Sequence, residues 1–307
     1  MTIRPLGLIM LLLAPAAGAL LSGHVEPARY LALGAVLALQ LSLLARPVAS
    51  FSILLPLVYG ASAITAHATE GVIALIVAVA AAVGAASSLG YQRGLLAVLA
   101  AALIGSSEAA APSEVLSRAA AILAGSSYAY LLAVTVLRDV RMESSAVNPQ
   151  TALSYAVLLA VLVTAAWFIA RYAGLAHAWW LPLAVAAVGE PAADKSPRRS
   201  MLRLLAALAG TMALVVLVGS VESPVLHAAL VVVLAFVMLA GVRRWRWLPA
   251  VLVTPLLVLL ACRDPGHASV TDGLGALLLA SLLAFCLAAL GQWVLWALRS
   301  DSGHIAV

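Results

Sequence analysis

Two adjacent tryptophans and a nearby arginine are the side chains best suited to bind an aromatic anion. Trp179 and Trp180 open a short apolar run, and Arg203 leads back into apolar sequence after a basic turn. An indole ring can stack on a substrate ring, and a guanidinium binds a carboxylate through two parallel hydrogen bonds. These residues are therefore candidates for a substrate site. The alternatives are that the tryptophans anchor a helix at the membrane surface and that Arg203 reaches toward the headgroups.

Prolines inside apolar runs mark a second kind of candidate. Pro56, Pro182 and Pro255 each interrupt an apolar run, and Thr254 directly precedes the last of them. Because a proline removes a backbone hydrogen bond, it can break a helix whose freed groups then line a cavity. Substrate sites of transporters are often built from such broken helices. The alternative is that each proline is tolerated within a continuous membrane helix.

Asp272 is the candidate for a coupling proton, because an intramembrane carboxylate can take up and release protons during transport. It stands near the predicted start of the last span, where capping that helix is the alternative role. The two cysteines, Cys262 and Cys286, lie in or near apolar segments and are predicted to be small buried thiols, with no disulfide and no metal site. No cofactor is predicted.

The composition places the chain in a lipid bilayer. Of 307 residues, 65% are hydrophobic and only 9% are charged, and the mean hydropathy is +1.13. A soluble domain of this length could not bury so much apolar surface. Only helices and closed barrels satisfy their backbone groups inside a membrane, and the long Ala- and Leu-rich runs do not alternate as barrel strands do. The chain is therefore predicted to be an all-α polytopic integral membrane protein.

Glycine, proline, serine and charged residues divide the apolar sequence into about twelve predicted transmembrane helices. They lie near 6–22, 29–45, 50–66, 71–88, 91–106, 115–137, 152–171, 178–190, 201–219, 224–241, 245–262 and 272–298. The predicted domains are a first six-span half at 1–137, a linker at 138–151, a second half at 152–298 and a tail at 299–307. A full crossing needs about 20 apolar residues, so several of these spans are short.

The basic residues predict how the spans are oriented. With the N-terminus in the cytoplasm, thirteen of the 17 Lys and Arg residues fall in cytoplasmic segments, and four, Arg29, Arg118, Arg171 and Arg263, fall outside. Cytoplasmic loops carry an excess of positive charge. The pattern therefore predicts an inner (plasma) membrane protein with both termini in the cytoplasm, and it supports twelve spans. A cleaved N-terminal signal is the alternative for the first span.

The order of six spans, a linker and six spans indicates an internal duplication. At a shift of 154 residues, Tyr91–Arg93 falls on Trp245–Trp247 and Arg118 falls on Asp272. Because six spans return the chain to the same side, the halves would be two parallel six-helix repeats with the substrate site at their junction. An ion pair between Arg118 and Asp272 is one arrangement that this register allows. The polar stretch Gly125–Thr135 would either pack helices closely or line the pathway.

The sequence around the tryptophan pair resembles the fusaric acid resistance-like family, also called the aromatic acid exporter family. In that family a short Trp-containing span precedes a basic turn and an Arg-x-x-Gly-Thr-x-x-Gly helix. Here the pair precedes EPAADKSPRR, and Arg203 and Gly210 keep their places, while Ala206 and Ala207 stand where the family has Gly-Thr. The resemblance therefore includes the arginine but departs at the Gly-Thr step.

A second stretch, WRWLPAVLVTPLLVLL, is similar to a later span of the family that also contains a Thr-Pro step, here Thr254–Pro255. The resemblance is good over residues 150–298 and faint over 1–137. Many family members carry a sizeable cytoplasmic domain, whereas the linker here has only about a dozen residues. The resemblance implies export of aromatic carboxylic acids or related amphipathic organic anions, driven by the proton motive force, and it carries the fold over better than the substrate.

Two other functions compete with a transporter. A membrane scaffold or assembly partner of an envelope complex would have a wholly apolar interior and an exposed stripe of small residues. A membrane enzyme acting on lipid-linked substrates needs clustered histidines or acids, and neither His-Glu-x-x-His nor a paired-acid motif occurs in the sequence. The chain is therefore predicted not to be an enzyme. The expected partners are the bilayer and a small organic anion, with a homo-oligomer or a separate soluble subunit as further partners, and no nucleic acid.

Overall fold

The computed structural model describes residues 5–42, 50–107, 110–136, 146–174 and 179–188, together with positions 233, 234, 286, 289 and 293. The elements are α1 Pro5–Leu21, α2 Val25–Ser42, α3 Ser50–Thr65, α4 Thr69–Ala85 with a 3₁₀ turn at Ala86–Leu89, α5 Gln92–Ser107, α6 Pro112–Thr135, α7 Pro149–Tyr172 and α8 Trp180–Val188. Within these ranges the chain is all-helical, as predicted.

Each of the first eight predicted spans coincides with one of these helices, but some helices begin earlier than predicted. Glu26 lies in the first turn of α2, and Glu114 follows the proline that opens α6. Asn148 caps α7, and its side-chain oxygen accepts a hydrogen bond from the Gln150 backbone N–H at 3.0 Å. A polar first turn suits a helix N-terminus but does not belong to the apolar run, so hydropathy alone misses it.

The remaining four predicted spans, 201–219, 224–241, 245–262 and 272–298, lie outside the described ranges apart from isolated positions. The number of twelve helices and the parallel repeats stay predictions. Cys286 is one of the isolated positions, and it is an exposed free cysteine. The prediction of a buried thiol is therefore wrong at this residue, because an apolar sequence context is equally compatible with a position on the outside of a membrane helix.

Three helical segments of the described chain are long and apolar enough to cross a membrane. They are Thr69–Leu89 with 21 residues and Pro112–Thr135 and Pro149–Tyr172 with 24 each. At 1.5 Å per residue, 24 residues rise about 36 Å, which exceeds the hydrocarbon thickness of a bilayer. Shorter apolar helices occupy Leu11–Leu21, Ser52–Thr65 and Leu95–Ser107. The chain is a membrane protein with transmembrane helices.

The helices pack as pairs around α5. The most extensive contacts join α2 to α6, α4 to α7 and α3 to α5, while α3 also packs on α6, and α8 packs on α7 and α5. Every residue from Ala97 to Ile104 in α5 is buried. A helix that is apolar and buried on all sides lies inside a bundle rather than at its surface. α5 is therefore the core helix of the described bundle.

The α2–α6 pair is close because each helix presents a glycine to the backbone of the other. A β-carbon on Gly34 would overlap the backbone carbonyl of Ile122, and one on Gly125 would overlap the carbonyl of Leu31. Small residues at such crossings let membrane helices approach until their backbones touch. The two glycines thus set the distance between α2 and α6.

The described end of the predicted linker and the helix that follows it pack against the first half. The Val147 backbone N–H donates to the Ser87 carbonyl at 3.2 Å, which joins the end of the linker to the turn after α4. From there α7, the first helix of the predicted second half, packs along α4. Gly84 takes part in this contact, since a β-carbon there would overlap the backbone of Ala156.

We expect Gly125→Ala to destabilise the protein by about 1–3 kcal/mol, because the added methyl group must displace the carbonyl of Leu31 in a packed interface. Thermal unfolding of the purified protein in detergent measures the change. Gly18→Ala is the matched control, since a β-carbon on this α1 glycine meets no atom within 4 Å. Equal unfolding temperatures for the two variants would contradict the proposed contact between α2 and α6.

Candidate functional site

Of the two predicted stacking residues, Trp179 is buried within the bundle. Its side chain is only 3% exposed, and its carbonyl accepts the first hydrogen bond of α8, from the Leu183 N–H at 3.3 Å. Trp180 is the first residue of that helix. Since α8 packs on α7 and on the core helix α5, the tryptophan pair lies where α8 joins the bundle.

Pro182 does not break the helix that contains it. It is the third residue of α8, which runs without interruption to Val188. The first N–H groups of a helix have no acceptor within that helix, so a proline at this position removes no helical hydrogen bond. Pro182 is buried, and it opens α8 rather than interrupting it. The structure therefore gives no broken helix at Pro182.

Four of the predicted site residues, Arg203, Thr254, Pro255 and Asp272, lie outside the described residues. Their roles stay predictions. Of the predicted site, the structure brings together the single turn that contains Trp179, Trp180 and Pro182.

Two other prolines interrupt helices of the first half, and α6 supplies a donor at each interruption. Pro56 within α3 cannot donate to the Ser52 carbonyl, and Pro15 within α1 cannot donate to the Leu11 carbonyl. The hydroxyl of Ser126 donates to the Ser52 carbonyl at 2.8 Å. The hydroxyl of Tyr128 donates to the Leu11 carbonyl at 2.6 Å. Each carbonyl that a proline leaves without its helical donor thus receives a hydrogen bond from α6.

The polar stretch Gly125–Thr135 therefore serves packing, the first of the two roles considered for it. Gly125 meets α2, Ser126 meets α3 and Tyr128 meets α1. The Ser52 hydroxyl lies 3.5 Å from the Ser126 carbonyl, so the α3–α6 contact is reciprocal. A backbone carbonyl without a hydrogen-bond donor is costly in a medium without water. α6 supplies the missing donor to both α3 and α1.

A buried arginine near the start of α6 forms a charged cluster that sequence reasoning missed. Arg118 is 5% exposed, and its Nε donates to Glu26 Oε1 at 3.0 Å. Its Nη2 lies 2.8 Å from the same Glu26 oxygen and 3.2 Å from Glu114 Oε2. Glu26 and Glu114 are 51% and 57% exposed. The cluster joins the first turns of α2 and α6.

Aromatic rings form the inner side of this cluster. The Arg118 guanidinium carbon lies 5.4 Å from the centre of the Tyr30 ring, and that of Arg29 lies 5.5 Å from the same ring. Both distances are within the range of cation–π attraction. The Tyr30 ring in turn contacts that of Tyr59 at 5.9 Å between centres. The arrangement combines a cation that binds carboxylates with a fully buried aromatic pair.

One sequence signal could have indicated the cluster. Glu114 and Arg118 are four residues apart, which places them together on one face of a helix, and Arg118 is followed directly by apolar sequence. The sequence reasoning treated Arg118 as an outer topology charge and a counterpart of Asp272. Its main partner, Glu26, is 92 residues away in the chain, so local spacing does not reveal that contact.

Comparison with known families finds a similarity within the predicted second half of the chain. Residues 165–290 match the family model described as fusaric acid resistance protein-like. This region is similar to that family, and we call it the fusaric acid resistance protein-like region. The match confirms the resemblance inferred from the tryptophan pair and Arg203. No curated protein and no solved structure matches the chain.

The fusaric acid resistance protein-like region begins inside α7 and includes α8. It contains the predicted substrate and proton-coupling residues from Trp179 to Asp272, whereas Pro56 and the Arg118 cluster lie outside it. The family is generally a transporter family. The chain therefore joins a region that resembles this family to a first half whose charged cluster the family match does not cover.

We expect Ser126→Ala to lower the free energy of unfolding by about 1–3 kcal/mol, because the buried Ser52 carbonyl loses its donor. In a Pro56→Ala background the cost should shrink, since an alanine N–H at position 56 can donate to the same carbonyl. Chemical unfolding of the purified single and double variants measures this coupling. Ser127→Ala is the control for loss of a neighbouring hydroxyl, and an equal cost of Ser126→Ala in both backgrounds would refute the explanation.

Proposed function

We propose that the protein is a secondary transporter that exports aromatic carboxylic acids or related amphipathic organic anions. The observation that carries the proposal is the family match over residues 165–290, which covers all the predicted substrate residues. The proton motive force drives export in this proposal. The membrane potential, which is one part of that force, already favours export. An anion that leaves an inside-negative cell releases about 2.3 kcal/mol per charge for each 100 mV.

In the proposed mechanism, Arg203 binds the carboxylate of the substrate near the cytoplasmic side, and Trp179 and Trp180 stack on its ring further along the pathway. The Thr254–Pro255 step opens a helix beside them, and Asp272 carries the coupling proton. The burial of Trp179 at the start of α8 supports this arrangement, because a ring inside the bundle can contact a substrate that is shielded from lipid.

The interior of the described bundle favours a transporter over a scaffold. A passive scaffold is expected to be wholly apolar inside, but Arg118 and the serines Ser52, Ser62, Ser87 and Ser126 are buried. Polar and charged groups are expensive at membrane depth, and they commonly mark sites and pathways. Ser52 and Ser126 join α3 to α6. A scaffold does not require the Arg118 cluster, because apolar side chains stabilise a helix contact at least as well as a buried ion pair does.

Transport by inside-out vesicles tests the proposal. We expect uptake of radiolabelled benzoate or a hydroxylated benzoate that is abolished by a protonophore. Arg203→Ala and Trp180→Ala should each lower the rate about tenfold or more, because each removes a direct contact with the substrate.

Arg199→Ala is the matched control for loss of a positive charge in the same basic turn. It should transport at the wild-type rate, because Arg199 lies within the basic turn and, unlike Arg203, has no proposed contact with the substrate. Absence of flux for every aromatic acid tested, with the protein correctly inserted, would refute the proposed transport and favour a scaffold.

A further inference from the structure

We infer that Arg118 is a second carboxylate-binding site, located in the first half of the chain and closed by Glu26 and Glu114 when no ligand is bound. The inference rests on the proposed transport of organic anions. It adds a site outside the region of the family match. Its ligand is a monocarboxylate that bears a flat ring, which replaces Glu26 on the guanidinium.

The burial of Arg118 makes partner exchange the only low-cost way to open the cluster. The Arg118 side chain is 5% exposed, and its guanidinium has both carboxylates within 3.2 Å. A buried charge that loses its counter-charge is strongly unfavourable. Glu26 can therefore leave only as another anion arrives, so the cluster exchanges one carboxylate for another instead of opening empty.

The two glutamates are well placed to leave. Each is about half exposed, so water can solvate its carboxylate as soon as the contact with Arg118 ends. Each also lies in the first turn of its helix, Glu26 in α2 and Glu114 in α6, where the helix dipole favours a negative charge with or without the ion pair. The guanidinium by contrast stays fixed in the bundle. Because Arg118 is buried and both glutamates are half exposed, we take the arginine as the binding site and the glutamates as its exchangeable partners.

The surroundings of Arg118 favour a ligand that carries an aromatic ring. Tyr30 lies against the guanidinium and contacts Tyr59, and aromatic rings attract further rings in offset or edge-to-face contact.

The backbone places these groups at one end of the bundle. A β-carbon on Gly60 would lie 4.0 Å from Val115, so the end of α3 that carries Tyr59 and Ser62 adjoins the start of α6. The charge pattern predicts this end to be outside the cell. An exported anion would then meet Arg118 late in its passage, after its predicted contact with Arg203 on the cytoplasmic side.

Equilibrium binding of radiolabelled benzoate to the purified full chain in nanodiscs tests the site. Glu26→Gln should bind benzoate about threefold to tenfold more tightly than wild type, because it removes the competing carboxylate and keeps the shape of the side chain. Arg118→Lys should lose about tenfold in affinity, since an ammonium cannot reproduce the paired hydrogen bonds. Benzamide, which has the ring without the charge, should not compete.

Glu70→Gln is the matched control, because Glu70 is an exposed glutamate in the first turn of α4. The measurements are made in an Arg203→Ala background, so that benzoate bound at the predicted second-half site does not contribute. A purely structural ion pair predicts that Glu26→Gln lowers the unfolding temperature and leaves benzoate affinity unchanged. That result, or equal affinity for Glu26→Gln and Glu70→Gln, would overturn the inference even if Arg118→Lys fails to fold.

Vesicle transport separates this inference from the proposed function. If Glu26→Gln transports and binds benzoate as the wild type does, the Arg118 site is refuted and the proposed transport is not. Tighter benzoate binding by Glu26→Gln without flux in any variant would retain the site and refute transport.

Discussion

A single buried positive charge constrains one whole end of this bundle. Arg118 is the one charged side chain that is buried among the described residues, and a guanidinium cannot shed its proton to escape the cost of burial. Two helices must therefore bring carboxylates to it, and the first turns of α2 and α6 do so. The aromatic pair Tyr30 and Tyr59 covers its inner side. The first turns of α2 and α6 and the Tyr30–Tyr59 contact are thus all arranged around this charge.

A second constraint, the need of every backbone carbonyl for a donor, explains the middle of α6. Prolines in α1 and α3 each free a carbonyl, and hydroxyls from Ser126 and Tyr128 supply the missing donors. One turn of α6 also carries Gly125, which brings α2 to backbone contact. The same helix thus binds three neighbours through three different interactions, and Arg118 lies at its beginning. A change in the carboxylates at Arg118 would act directly on the helix that organises the first half.

The sequence predicted those features that depend on neighbouring residues. Apolar runs located the eight described helices, and the tryptophan pair with Arg203 identified the family that matches residues 165–290. Local reasoning failed where a contact joins distant parts of the chain. Ser126 and Ser52 are 74 residues apart, and Arg118 and Glu26 are 92 apart, so only the packing of α2, α3 and α6 brings them together. Pro182 shows a different difficulty, because its effect depends on where α8 begins, and helix ends are less distinct in sequence than helix centres.

The most direct test of this account replaces the whole cluster at once, with Arg118→Met, Glu26→Gln and Glu114→Gln in one protein. Because Arg118 is removed together with both carboxylates that pair with it, the variant should fold and unfold near the wild-type temperature. If the cluster exists to exchange carboxylates, this well-folded variant should lose most of its benzoate flux in vesicles. Wild-type flux from the uncharged variant would contradict the account, and the cluster would then serve only to hold α2 and α6 together.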